Sequence, residues 1–255
     1  MAAENRALSG KTGAICDEIE MRLLRGRYRF GQEILVNDLV KEFGASRAPV
    51  MAALNYLRAE GYLIITPQVG CKVVSPTLSE IEDFVFTFSR VEGAIASMAA
   101  KRHYANEIAL LDETQQKIRR IAPKKGQQIT QPYVDLIADF HRQIHDMCHS
   151  QFAGDRATRN WRVLDFFLFN GSFGNIQGGP SLALADQQRA EIVEVIARRD
   201  SAAAGRLMEK HMRDKVKWFP VTSKSPAPEL PEEHAAEPAE RPSATVLTTV
   251  GRRRR

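Results

Sequence analysis

The chain is poor in cysteine, with three in 255 residues. Cys16, Cys71 and Cys148 are odd in number and widely spaced, which excludes a dense disulfide framework and suits a reducing compartment. No apolar run reaches the roughly 18 residues that mark a membrane helix, and the opening MAAENRALSGKTG has no apolar signal core. A cytoplasmic chain with no membrane partner is expected. Catalytic signatures are missing too: there is no GxSxG elbow, no HExxH and no CxxC. The glycines of NGSFGNIQGGP follow a helical pattern where a phosphate-binding loop needs a strand, so they read as a turn and an enzyme is not expected. A surplus of one charge is also scarce. Of the formal net charge of +5, the arginines at 252–255 supply four, and the remaining balance is +1. The total therefore says little about an anionic partner, although Arg22, Arg25, Arg27 and Arg29 gather near the start.

What is present is the make-up of a soluble globular protein, 44% hydrophobic and 26% charged, in a length that favours two domains. Residues 8–76 read as three helices and a β-hairpin. Ile15, Ile19 and Leu23 recur every four residues in a helix that ends near Gly26. ILVNDLVKEFG then gives a short strand-like triplet and a second helix, from about Asn37 to Gly44. The third helix spans about 46–60, with Ser46 as N-cap, Pro49 in the first turn and Gly61 as its stop. Val50, Ala53, Leu54 and Leu57 form its inward stripe. YLIITPQVGCKVV follows as a hairpin whose turn lies at 67–70. This is the composition of a winged helix-turn-helix.

From about Thr77 the pattern becomes almost wholly helical. Six helices are expected, over about 78–103, 106–121, 132–150, 155–173, 182–199 and 201–219, with breaks at 123–126, at Gly154 and across NGSFGNIQGGP. Such lengths suit an antiparallel bundle. WRVLDFFLFN is apolar nearly all round, which fits a central helix or a subunit contact; Phe166, Phe167 and Phe169 could line a ligand pocket or fill the core. The fold class is thus mainly α: a winged helix-turn-helix (8–76), an all-helical bundle (77–219) and a Pro/Ala/Glu-rich tail (220–255) without helical stripe, expected to be disordered.

The run ASRAPVMAALNYLRAEGYL with the wing VGCKVV resembles the N-terminal domain of GntR-family bacterial transcription regulators. DFHRQI, from Asp139, together with Asp200, Ala204, Met208 and His211, resembles the helical FCD effector domain of that family. The resemblance covers roughly residues 10–219. It implies that the third helix enters the major groove of double-stranded DNA by its N-terminal residues. Ser46, Arg47 and Ala48 fall at the contact positions, Asn37 opens the preceding helix, and Gly70 sits at the wing tip. Arg47 can contact guanine or phosphate. Where the family pattern carries PVR, this chain has Met51, which removes a contact and implies a divergent or weaker operator. Position 51 is expected to point away from the apolar stripe. A homodimer on a palindromic operator follows from two-fold symmetry, with operator affinity controlled by a small-molecule effector. A protein-binding winged helix, or a helical ligand-binding protein without specific DNA binding, is the alternative.

The family's helical domain commonly holds a divalent metal through an aspartate and three histidines. His141 and His211 match two of those positions, while Ile137 and Arg189 stand at the other two. Two nitrogen ligands are too few for a zinc or nickel ion held in the family manner. A guanidinium can instead supply positive charge and bind an anion bidentately, so the expected effector site is a metal-free pocket of His141, Arg189 and His211. His141, His145 and Cys148, at i, i+4 and i+7, form a competing metal constellation. Its plainer reading makes Phe140, Ile144 and Met147 the core stripe, with the histidines flanking it partly exposed.

Overall fold

The structure, a computed structural model, describes residue 8 and residues 10–66, 70–171 and 178–215. The wing turn at 67–69, the glycine-rich 172–177, the expected last-helix residues beyond 215 and the 220–255 tail with its arginines lie outside the described residues.

The first helix, α1 (Gly10–Leu24), buries Ile15, Cys16, Ile19 and Leu23 on one side. After β1 (Glu33–Ile34) come α2 (Val36–Glu42) and α3 (Arg47–Ala59). Ser46 takes the extended N-cap conformation of α3 but makes no side-chain cap bond. Val50, Ala53, Leu54 and Leu57 are fully buried against α1 and α2. Gly61, at φ +90°, turns the chain out of α3 as only glycine does without strain. β2 (Leu63–Thr66) and β3 (Gly70–Val73) pair antiparallel, Ile64 opposite Lys72, and β1 joins on the far side to give the order β1-β3-β2. Alternation sends Leu63, Cys71 and Val73 inward and leaves Lys72 exposed.

Thr77 closes a capping box with Glu80 and starts α4 (Leu78–Arg102). It is followed by α5 (Ala105–Ile121), α6 (Gln131–Met147), α7 (Gln151–Gly171), α8 (Pro180–Ala197) and α9 (Ser201–Asp214). α4 is the axis of this bundle and packs on α6, α7, α8 and α9. Its approach to α9 is very close: a Cβ on Gly93 would stand 2.9 Å from the Gly205 carbonyl oxygen.

One expectation needs correction. Gly154 does not break a helix; α7 runs through it, and the missing side chain lets α7 pass the His145 carbonyl, 3.0 Å from where a Cβ would sit. WRVLDFFLFN lies in α7, where its aromatics meet both the winged half and α4. Phe166 packs edge-on against Phe30 (5.4 Å) and Tyr62 (5.2 Å), and Phe167 against Phe84 (5.3 Å). Arg162 reaches both Glu20 carboxylate oxygens at 3.2 Å, and the Asn170 amide donates to the Leu23 carbonyl at the end of α1. Both halves thus belong to one compact unit.

Candidate functional site

Two places carry the expected residues. At the start of α3, Ser46, Arg47 and Ala48 are exposed. The Arg47 guanidinium donates to the Asn37 side-chain oxygen at 3.1 Å, so the helix start and the opening turn of α2 present one polar patch. Gly70 is exposed with open space around it and φ of +151°. Met51 departs from expectation: it is half-buried and packs against the core instead of projecting from it. Of the early arginines, Arg22 is committed to Glu18 and Glu42, whereas Arg25, Arg27 and Arg29 are exposed.

The second place lies inside the bundle. His141 of α6, Arg189 of α8 and His211 of α9 are at most 1% exposed. The two imidazoles stack with centroids 5.6 Å apart, and Trp161 stacks on His141 at 3.8 Å. Arg189 donates through Nε to Gln115 Oε1 at 3.1 Å. Its Nη1 and Nη2 make no hydrogen bond, although Nη2 lies 3.6 Å from Asp186. Tyr133 Oη, His141 Nε2 and His211 Nε2 are likewise buried without hydrogen-bond partners. Burial raises the pKa of Tyr133 and lowers that of His211; the Arg189 guanidinium pulls both down, and it stands close enough to Tyr133 Oη for a weak side-chain contact with it. Five buried polar atoms left over in one layer are a strong departure from the near-complete satisfaction of protein interiors.

The proton positions follow from the partners. Glu92 of α4 accepts from His141 Nδ1 at 2.9 Å and from His145 Nε2 at 2.6 Å. Burial pushes Glu92 up, but the two histidines outweigh it and hold the carboxyl at about 2, so it is ionised and can only accept. The Gln188 amide nitrogen donates to Asp214 at 2.7 Å, which turns its oxygen toward His211 Nδ1 at 3.0 Å. Both imidazoles therefore carry their proton on Nδ1 and present an Nε2 lone pair. Both are neutral: burial, above all, lowers His141 to about 3 and His211 well below its ordinary value, with Lys215 adding to each effect. This buried cluster thus holds three donor atoms, on Arg189 and Tyr133, and two acceptors.

A metal of the family kind does not fit these residues. Two lone pairs are available, but the third position is a guanidinium, which has none and repels a dication, and the fourth is Ile137. Glu92, His141 and His145 have ligand atoms within 4.8 Å of one another. Those atoms already satisfy one another as hydrogen bonds, and His145 Nδ1 is engaged with Thr158 at 3.0 Å. His145 is 2% exposed rather than a flanking surface residue, and burial applies equally to His141. Cys148 is not gathered there; its thiol faces the Ser150 carbonyl at 3.6 Å. Glu92, Gln115, Tyr133 and Gln188 were not picked out by sequence. Glu92 did carry a signal, a carboxylate set among the buried Phe88, Ile95, Ala96 and Ala99 of one helix face.

Comparison with known proteins gives two family matches. The model of the bacterial regulatory proteins of the gntR family matches residues 11–73, and the FCD domain model matches residues 87–214. The HTH-type transcriptional repressor RspR of Escherichia coli K12 is 24% identical over 184 residues, which is 72% of this chain and 78% of that protein. The HTH-type transcriptional regulator YdhC of Bacillus subtilis is 21% identical over 135 residues, 53% of this chain and 59% of that one. Among solved structures, E. coli McbR/YncC superposes with a TM-score of 0.67 at 14% identity, covering 82% of this chain and 97% of that chain. A transcriptional regulator from Rhodococcus sp. RHA1 reaches 0.62 at 15%, with coverage of 82% and 97%. These structures share the fold. With the exposed polar start of α3 ahead of a helical bundle that buries a polar cluster, the chain belongs to the GntR family of transcriptional regulators, in the group that carries an FCD domain.

Proposed function

We propose that this regulator binds a palindromic operator in the cytoplasm as a homodimer, and that a small anionic effector held in the chamber of α6, α8 and α9 sets its operator affinity. The observation that carries this reading is the buried Arg189, whose two terminal nitrogens have no hydrogen-bond partner. A buried cation with unused donors favours a carboxylate or similar anion, which would also take the Tyr133 hydroxyl. The lone pairs of His141 and His211 add a second requirement, a hydrogen-bond donor on the same molecule. A hydroxy acid has both groups. No metal is needed, since Arg189 supplies the positive charge.

At the DNA, Arg47 and Asn37 would face bases and phosphates, with Ser46, Ala48 and the Gly70 wing tip beside them; Met51 would contribute apolar contact only. An effector that prefers one arrangement of the two halves shifts the dimer toward or away from operator-competent spacing. The test is a thermal-shift and operator-binding screen of hydroxy acids against their deoxy counterparts, with and without a chelator. A hydroxy acid should raise the melting temperature in either case, its deoxy counterpart should do so less, and Arg189→Met should abolish the response. A response that needs added metal, or survives in Arg189→Met, overturns the chamber reading. Arg47→Ala that leaves operator affinity and its salt dependence unchanged overturns the DNA reading.

A further inference from the structure

The opening turns of α7 have an exposed flank as well as a packed one. Gly154 and Ala157 face inward, whereas Phe152, Asp155, Arg156 and Arg159 are exposed. Phe152, at 92%, is the most exposed large hydrophobic side chain among the described residues. The spacing of the four, three residues and then one and three again, sets them on one helical stripe about 10 Å long. Asp155, Arg156 and Arg159 form no ion pair and no side-chain hydrogen bond among the described residues. A fully wetted phenyl ring beside three uncommitted charges is a surface whose partner lies outside the chain.

The order of these residues says which partner fits, because it is complementary to itself. Two copies of α7 laid antiparallel, with a two-fold axis between positions 155 and 156, bring Phe152 opposite the partner's Arg159 and Asp155 opposite the partner's Arg156. Each contact occurs twice. A guanidinium over a phenyl ring is attractive, and so is an aspartate beside an arginine. The parallel arrangement would instead set Asp155 against Asp155 and Arg156 against Arg156. Within one chain Asp155 and Arg156 cannot satisfy each other, since residues one apart on a helix do not face one another. Their attraction is available only to a second chain.

We infer that the opening turns of α7 are the two-fold contact of a homodimer, and that the occupant of this stripe is a second copy of this chain. The inference rests on the homodimer proposed above and gives it a surface. The two Phe152 rings supply the apolar centre, roughly 300–500 Å² together, and the Asp155 and Arg156 pairs fix the register. Trp161 and Phe166 stand further along the same helix, against His141 and against Phe30 of the winged half. The dimer axis, the buried polar cluster and the winged domain therefore all bear on α7, and a shift of this helix changes the spacing of the two winged domains.

Sedimentation equilibrium of the full chain at micromolar concentrations tests this by charge exchange, with the melting temperature as the check on folding. Asp155→Arg and Arg156→Asp each set like charges face to face twice, and each should weaken dimerisation about ten-fold or more. Phe152→Ala should weaken it as well. Asp155→Arg combined with Arg156→Asp restores both attractions and should return the dissociation constant to within about three-fold of wild type. Damage confined to one chain would not be repaired in this way. Single variants that dimerise as tightly as wild type, or a double variant no tighter than the singles, overturn this surface and leave the homodimer reading standing. A wild type that sediments as a monomer at every concentration, with and without operator DNA, overturns both. Operator affinity lost in Arg156→Asp with dimerisation untouched assigns the stripe to DNA and overturns the inference too.

Discussion

At the scale of single residues, the buried layer stores opposing responses to acid. His141 and His211 are held neutral, below the ordinary 6.5, mainly by burial. As pH falls below 6.5 the unfolded chain takes up protons that the folded chain refuses, so stability declines at both histidines, by about 2 kcal/mol down to pH 5 for His141, held at about 3. Asp165, raised from 3.8 to about 7, acts in the other direction. Between those values the folded chain holds a proton that the unfolded chain lacks, so this group adds stability as pH falls. His211→Gln should therefore flatten the loss of unfolding free energy between pH 7 and 5 in urea titrations, and Asp165→Asn should steepen it. Slopes equal to wild type in both variants would show that neither group's folded-state ionisation differs from its unfolded one.

At the scale of elements, the crossing of α4 and α9 is set by glycines. A Cβ at Gly93 would meet the Glu209 side chain at 2.5 Å and the Gly205 carbonyl at 2.9 Å. The side chain can swing away, whereas the carbonyl belongs to a packed helix. Gly93→Ala should thus cost about 1–3 kcal/mol, the usual range for overpacking, and should keep most of that cost in a Glu209→Ala background. Full rescue by Glu209→Ala would place the conflict in the side chain and refute backbone contact as its cause. The elements themselves were legible in sequence: the stripe Val50, Ala53, Leu54 and Leu57 marked α3, and the change to helical pattern at about Thr77 marked the start of α4. Gly154 was misread because a helical glycine that permits close packing looks the same in sequence as one that ends a helix. Within the buried cluster, His141, Arg189 and His211 were legible through the resemblance to the FCD domain. Tyr133, Gln115 and Gln188 were not, because their meeting depends on how α5, α6 and α8 turn against one another. Met51 was misplaced for a related reason: a helix edge counted as free by periodicity is half-covered once its neighbours pack.

At the scale of the whole molecule, the functional question is how a chamber in α6, α8 and α9 can affect a helix start in α3. The two halves meet in a seam where Phe166, fully buried, fits between Phe30 and Tyr62, next to the Arg162 and Glu20 ion pair. α7, which carries Phe166, also carries Trp161 against His141, so one rigid helix touches both the chamber and the winged domain. Phe166→Ala should remove about 3–5 kcal/mol of stability, as for other large-to-small core changes. Its more telling consequence is on coupling. On the proposed function an effector changes operator affinity by some factor, and DNA must then change effector affinity by that same factor. If α7 carries the linkage, both factors fall together toward one in Phe166→Ala, while the chamber's affinity in the absence of DNA stays near wild type. Leu54→Ala is the control, since Leu54 is equally buried but lies within the winged domain alone. It should lose comparable stability and keep the coupling factor. Fluorescence titration of effector with and without operator DNA, run on all three proteins, measures the factor directly. A Phe166→Ala protein that remains folded and retains full coupling would rule out the aromatic seam as the route.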